Sequence, residues 1–351
     1  MRYTTFGRRT GLRVSQYALG TGNFGTAWGT GADHDEARRI FDRFVEAGGN
    51  FIDTADTYQA GQSEQLVGEF VGPARDDLVV ATKFTVGADP AGGVSRTGNA
   101  RKNLRTSVEA SLRRLGTDYI DLLWVHYPDA LTPAEELLRG LDDLVSQGKI
   151  LYAAFSNFPA WRVSRAATLA DLGGWAPVAG IQVEYSLVER SADRELLPMA
   201  EALGLGTTLW SPLGGGLLTG KYRSSRQGRL ADWGRLVHSE STDQVTATLD
   251  TVLAIASEVG RTPAQVATAW VNERSRRSAT SLIPIIGPRS LAQLDDYLGA
   301  LELDLTEEQY DRLTQVSAIP LGIPHEANAR ALNGLQGGAA ASFDQPVVPV
   351  A

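Results

Sequence analysis

The chain has 351 residues, 43% of them hydrophobic, and a formal charge of -8. That length suits a large single domain with a real core, and the acidic balance disfavours a nucleic-acid partner, which needs clustered Lys and Arg. Cysteine is absent, which excludes disulfides, thiolate nucleophiles and Cys-ligated metals. The first residues lack the apolar core of a secretion signal, and no apolar run approaches the ~18 residues of a membrane span. A cytoplasmic protein is expected.

In chain order, Thr4–Phe6 and Leu12–Val14 flank the turn-rich Gly7–Gly11 and read as a β-hairpin. Eight strand-like runs follow: Tyr17–Leu19, Phe51–Ile52, Leu78–Thr82, Ile120–Val125, Ile150–Phe155, Gly180–Val183, Gly206–Trp210 and Ser281–Ile286. Helical periodicity lies between them, as in Leu104, Val108, Leu112 and Leu115. A second stripe is Leu137, Leu138, Leu141, Leu144 and Val145, opened by Pro133 and closed by Gly148. Asp33 or Asp35 would cap the first helix, which carries Ala37, Ile40, Phe41 and Phe44. Strands alternating with helices predict an α/β (β/α)8 TIM barrel over residues 1–326, with an open doubly wound sheet as the other arrangement. Gly214–Ser241 forms a long polar loop after the seventh barrel strand. Residues 327–351 make an extended C-terminal tail, either a flexible terminus or a cover near the active-site mouth.

Two glycine motifs invite over-reading. Gly20-Thr21-Gly22-Asn23-Phe24-Gly25 matches G-x-G-x-x-G, but Thr26–Ala32 intervenes before any helical pattern, so a Rossmann turn is disfavoured. Close backbone approach of Gly22, Asn23 and Phe24 to something bound in a barrel mouth is the better reading. Gly215–Lys221 resembles a Walker A loop, yet Tyr222 stands where Ser or Thr should hold Mg2+.

Chemistry collects where strands give way to loops. Asp53 ends one run and Tyr58 follows five residues later; Lys83 and His126 end the next two. In a parallel barrel these points share one face, the face that carries active sites. Singly, each has a bland role as cap, rim aromatic, solvated charge or satisfied histidine. Together they make an acid–base site. Tyr58 is a suitable acid if Lys83 lowers its pKa, Asp53 would keep Lys83 charged, and His126 would donate to a carbonyl oxygen. No metal is required, and no paired-His ligand spacing is present.

Cofactor signals lie at the other strand ends. The nest around Gly215 with Lys221, and Gly287-Pro288-Arg289-Ser290 leading into a helix with free amides, are two anion sites. A ligand with phosphate at both ends of a long body fits them, namely NADPH. Ser156, Asn157 and Gln182 can hydrogen-bond a carboxamide, and Trp210 can stack on the nicotinamide. Trp28, Tyr127, Trp233 and the tail are placed to shape a substrate pocket.

Several of these motifs occur together and in order: Asp53-Thr54-Ala55-Asp56-Thr57-Tyr58, Thr82-Lys83, Leu123-Trp124-Val125-His126, Phe155-Ser156-Asn157-Phe158, Gln182-Val183-Glu184-Tyr185-Ser186, Trp210-Ser211-Pro212-Leu213 and Ile286-Gly287-Pro288-Arg289. In these the chain resembles the aldo-keto reductase superfamily, over nearly its whole length. The resemblance implies a (β/α)8 barrel, a catalytic set Asp53, Tyr58, Lys83 and His126, and NADPH extended across the strand C-termini. It further implies that Ser211, Leu213, Gly215 and Lys221 line the pyrophosphate, and that Arg289, with Ser290 and Gln293, meets the 2'-phosphate. Tyr297 stands where similar proteins commonly carry an adenine-contacting Asn. The function expected is NADPH-dependent reduction of aldehydes or ketones. The alternatives are a Schiff-base lyase or aldolase using Lys83, and a cofactor-binding regulatory subunit with vestigial catalysis. Substrate identity and oligomeric state are not legible.

Overall fold

In the computed structural model, residues 1–89, 91–223, 238–344 and 346–348 are described. Trp233, much of the loop after the seventh barrel strand, and the end of the tail lie outside them. Strands β1 (Tyr3–Thr5) and β2 (Arg13–Ser15) pair antiparallel as the expected hairpin. Eight parallel strands then close a barrel: β3 (Ala18–Gly20), β4 (Phe51–Asp53), β5 (Val79–Phe84), β6 (Ile120–Val125), β7 (Ile150–Ser156), β8 (Val178–Glu184), β9 (Gly206–Trp210) and β10 (Leu282–Ile286). Each strand pairs with the next in sequence, and β10 closes on β3. An open doubly wound sheet is thereby excluded. Helices wrap the outside because strands that run parallel need a crossover between them.

The helix signals read from sequence have physical counterparts. The Asp33 side chain accepts from the backbone N–H of Glu36 and opens helix His34–Glu46, whose Ala37, Ile40, Phe41 and Phe44 are buried. Leu104, Val108, Leu112 and Leu115 form the buried stripe of helix Arg101–Leu115. Near the C-terminus the extended tail is partly helical: His325–Leu335 is a helix with no buried residue.

Strand periodicity sorts side chains into two apolar cores. The larger lies between barrel and helices. The smaller fills the barrel interior with Phe51, Val79, Ala81, Leu122, Trp124, Ala154, Ile283 and Ile285, and it includes Phe6 from the hairpin connection. The Phe6 ring meets Phe51 and Trp124 edge-on, at centroid distances of 5.9 and 6.1 Å. Its room is made by glycine. A Cβ on Gly206 would stand 2.7 Å from the Phe6 ring, and one on Gly180 would stand 2.2 Å from the Gly206 carbonyl oxygen. The hairpin thus plugs the N-terminal end of the barrel, and the opposite end is left for chemistry.

Phe6 is fully buried, so Phe6→Ala should empty a large cavity and lower stability by about 3–5 kcal/mol in urea unfolding. A loss under about 1 kcal/mol would show that the plug carries little of the barrel's stability.

Candidate active site

The interior face of each strand continues upward from apolar to polar. On β4, Phe51 is followed two residues later by Asp53; on β5, Val79 and Ala81 lead to Lys83; from β6, Leu122 and Trp124 lead to His126. A period of two puts each polar group one layer above the plug and pointing into the barrel. Lys83 is inside β5, which runs on to Phe84, and does not end the strand as the sequence suggests. Inter-strand pairing carries the backbone of this part of the barrel through it.

Asp53, Lys83 and His126 are buried, and Tyr58 is half-buried at their edge. Lys83 Nζ donates to Asp53 Oδ2 at 2.5 Å and to the Thr54 carbonyl at 2.7 Å. It also lies 4.8 Å from the centroid of the Tyr58 ring. Burial by itself pulls the Lys83 pKa down, but the Asp53 carboxylate and then Tyr58 outweigh it, and the pKa is raised. Lys83 is therefore an ammonium at neutral pH. Burial, reinforced by the Lys83 charge, holds His126 well below the ordinary histidine range, so its ring is neutral. The Tyr58 and His126 rings meet edge-on at 6.2 Å. Trp28 meets Tyr58 edge-on at 6.3 Å, and Tyr127 stacks on His126 at 4.6 Å. Trp28 and Tyr127 are 40% and 45% exposed, which leaves aromatic surface beside Tyr58 at Trp28 and beside His126 at Tyr127.

Other expected residues gather on the same rim, with commitments that sequence does not reveal. Gln182 donates through Nε2 to Asp53 Oδ1 at 3.0 Å. Asn157, in the left-handed region at φ 60°, donates to the His126 carbonyl at 3.1 Å and to the Ser156 hydroxyl at 3.0 Å. Ser211 also has positive φ, just beyond Trp210. Gly22 passes close over the site: a Cβ there would touch the Tyr58 ring at 3.7 Å. Asn23 donates to the Gly287 carbonyl, tying the loop after β3 to the loop after β10. The Phe24 side chain is fully buried and packs edge-on with Phe70, so only the backbone of this residue faces a ligand.

The glycine turn after β9 and Arg289 after β10 are the groups expected to hold a dinucleotide. Gly214, Gly215 and Gly216 all have positive φ, so this turn presents bare backbone. A Cβ on Gly216 would come within 3.2 Å of Lys221 Nζ, so glycine keeps the ammonium beside the turn. Tyr222, the residue that spoils the Walker pattern, donates its hydroxyl to the Gly215 carbonyl at 3.1 Å. The free amides expected before the last barrel helix are not free. Arg289 N–H donates to Gln293 Oε1, Leu291 N–H to Glu36 Oε1, and Gln293 N–H to the Ser290 hydroxyl. Side chains thus already cap this helix end in part. Leu213 is buried beneath the turn, and Tyr297 packs partly buried against the outer core. At the rim, Glu184, Glu189 and His238 bring ligand-capable atoms within 4.8 Å of one another. His238 is paired with Glu184 at 2.9 Å, and the Glu189 carboxylate accepts from Ser191.

Three residues that the sequence reading gave no role lie around the site: Gln59, Glu64 and Asp56. Glu64 is fully buried, accepting from the Thr82 hydroxyl and from Arg114 Nε, both at 2.6 Å. A carboxylate on the Leu66–Val67–Phe70 side of its helix is the one signal that could have marked it. Asp56 is buried beside it. The amides of Thr57 and Gly87 lean toward its carboxyl without closing a hydrogen bond of good geometry among the described residues. Burial, then the Glu64 charge, raise its pKa to about 7. The unfolded chain loses this proton near the usual carboxyl value, before the folded protein does. Folding stability therefore falls as pH rises between the two values, by up to about 4 kcal/mol, and levels off above the upper one. Asp56→Asn should accordingly gain stability over the native protein as pH rises from 5 to 8 in paired urea titrations; parallel pH profiles would contradict this.

The Aldo/keto reductase family model matches residues 17–318. Norsolorinic acid reductase of Aspergillus flavus is 36% identical over 323 residues, covering 90% of this chain and 80% of its own. The oxidoreductase YrpG of Bacillus subtilis is 37% identical over 339 residues, covering 94% of this chain and all of its own. A putative aryl-alcohol dehydrogenase of Saccharomyces cerevisiae is 34% identical over 336 residues, covering 92% of this chain and 88% of its own. Closed barrel, rim chemistry and these matches agree: the chain belongs to the aldo/keto reductase family, oxidoreductases that act on carbonyl and alcohol groups with a nicotinamide cofactor.

Proposed function

We propose that this protein reduces aldehyde or ketone carbonyls to alcohols with NADPH, with Tyr58 as the general acid. The observation that carries this reading is the buried Lys83 ammonium, held by Asp53 and lying 4.8 Å from the centroid of the Tyr58 ring. An adjacent positive charge favours the phenolate, so Tyr58 can release a proton that a free phenol, with a pKa of about 10, would hold. When bound, NADPH supplies the hydride that attacks the carbonyl carbon. Tyr58 gives its proton to the carbonyl oxygen as charge develops there, and solvent returns a proton to the phenolate afterwards. His126, being neutral, donates a single hydrogen bond toward that oxygen and adds no second cation beside Lys83. Asp53 keeps Lys83 charged, and Gln182 holds the other carboxylate oxygen.

Ser156, Asn157 and Gln182 are the carboxamide side of this proposed cofactor site, with Trp210 as the stacking face. The 214–216 turn and Lys221 would take pyrophosphate, with Arg289 at the 2'-phosphate. A protonated, ion-paired Lys83 is a poor Schiff-base nucleophile, which weighs against a lyase or aldolase. Convergence of all four side chains weighs likewise against a vestigial regulatory subunit. The names of two relatives, an aryl-alcohol dehydrogenase and a reductase of norsolorinic acid, support a carbonyl substrate with an aromatic body.

Tyr58→Phe should reduce carbonyl-dependent NADPH oxidation by at least about a hundredfold while NADPH binding, read by fluorescence quenching, stays within about twofold. Near-native turnover would remove Tyr58 as the acid. Arg289→Ala should weaken NADPH by about tenfold or more and leave NADH little changed, since only the former carries the phosphate. Equal losses for the two cofactors would assign Arg289 another role.

A further inference from the structure

Immediately after Tyr58 the backbone does something costly. Gln59 and Ala60 are both left-handed, at φ 50° and 53°, in consecutive non-glycine positions. Such conformations persist only where surrounding contacts over-determine them. Local backbone bonds hold part of this turn, with Ala60 N–H donating to the Thr57 carbonyl and Gln62 N–H to the Gln59 carbonyl, and one side chain supplies the tie to a remote loop. Gln59 is buried, and its Nε2 donates to the Gly22 carbonyl at 3.2 Å and to the Thr30 carbonyl at 3.1 Å. Its Oε1 accepts from the backbone N–H of Trp28 at 2.9 Å. Two carbonyl acceptors and one N–H donor fix which way the amide points and use both of its donors.

These three bonds grip the stretch 22–30 at both ends and at Trp28. That stretch carries the indole that meets the Tyr58 ring at 6.3 Å and 82°. Gln62 adds a second grip, accepting through Oε1 from Thr26 and Ala27. No other side-chain type reproduces the clamp: Glu lacks the donors, Asn is shorter, and Met has neither donor nor strong acceptor.

We propose that Gln59 is a positioning residue that sets substrate selectivity, by holding Trp28 as one wall of an aromatic slot over Tyr58 whose other wall is Tyr127. This rests on the reading of Tyr58 and Trp28 as acid and pocket wall given above. A flat aryl carbonyl compound gains from both walls through stacking. A small aliphatic aldehyde reaches Tyr58 without needing either. The clamp therefore governs binding of aryl substrates and leaves hydride and proton transfer unchanged.

The test compares the full-length native protein, Gln59→Met, Trp28→Ala and the double variant, using 2-naphthaldehyde and propanal with NADPH. Hydrogen–deuterium exchange is followed on the same proteins. In Gln59→Met, KM for 2-naphthaldehyde should rise about tenfold with kcat within about twofold, as loss of the clamp's hydrogen bonds predicts. Propanal kinetics and the Kd for NADPH should stay within about twofold, and amides of residues 26–30 should exchange faster. In the Trp28→Ala background the same substitution should change little, since the wall it positions is gone. Equal losses on both aldehydes, weakened NADPH, or a full effect without Trp28 would each overturn the proposal. Should Gln59→Met fail to fold, Gln59→Glu keeps the acceptor for Trp28 N–H and loses the two donors, and the same comparisons apply. If the native protein reduces neither aldehyde, the functional reading fails by itself. Exchange in Gln59→Met still decides the clamp: faster exchange confined to 26–30 supports it, and unchanged exchange removes it.

Discussion

A lysine ammonium with no solvent exposure has to be neutralised where it sits, and that requirement organises the mouth of this barrel. An isolated buried charge costs several kcal/mol, and burial would drive Lys83 to shed its proton. Asp53 prevents this at 2.5 Å, the Thr54 carbonyl takes a second donor, and the Tyr58 ring centroid lies 4.8 Å away. Gln182 then occupies the remaining carboxylate oxygen of Asp53. Pairs of this kind are weak evidence for stability but sensitive to loss of either partner. Their use here is to set the protonation state beside a phenol.

Everything below and around that pair serves to hold it dry and in register. The Phe6 plug and the interior side chains of β4, β5 and β6 form an apolar floor directly beneath Asp53, Lys83 and His126. Outside the barrel wall, Glu64 joins the Thr82 hydroxyl to Arg114, so the neighbour of Lys83 is pinned from the helix side. The loop bearing Tyr58 runs between these layers, with a protonatable Asp56 on one side and the left-handed Gln59 and Ala60 on the other. Strain and an unpaired carboxyl in one short loop mark a segment shaped for a site at some cost to stability.

Much of this was legible in the residue order. The eight strands could be found because short apolar runs recur between amphipathic stretches, and β6 and β9 fall where the runs predict. Asp53, Tyr58, Lys83 and His126 could be picked out because parallel strands put their C-terminal ends on one face. Other features were misread for physical reasons. Lys83 looked like a strand terminus because a charged residue seldom continues a buried strand, and the Asp53 carboxylate on the neighbouring strand, with the Thr54 carbonyl, makes that tolerable. The helix start after Ser290 looked open, but Glu36 reaches it from a helix far away in the chain.

The residue order alone determined the alternation of strand and helix, the side of each strand that faces inward, and therefore which four groups share a rim. Those follow from local periodicity, which is written in the chain. Tertiary structure alone decided which of those groups are charged and which amides are spent. It also decided that Gln59 clamps Trp28 and that Asp56 lies against Glu64. Protonation and hydrogen-bond saturation depend on distances between residues remote in sequence and on how much water is excluded around them, and no local pattern encodes either.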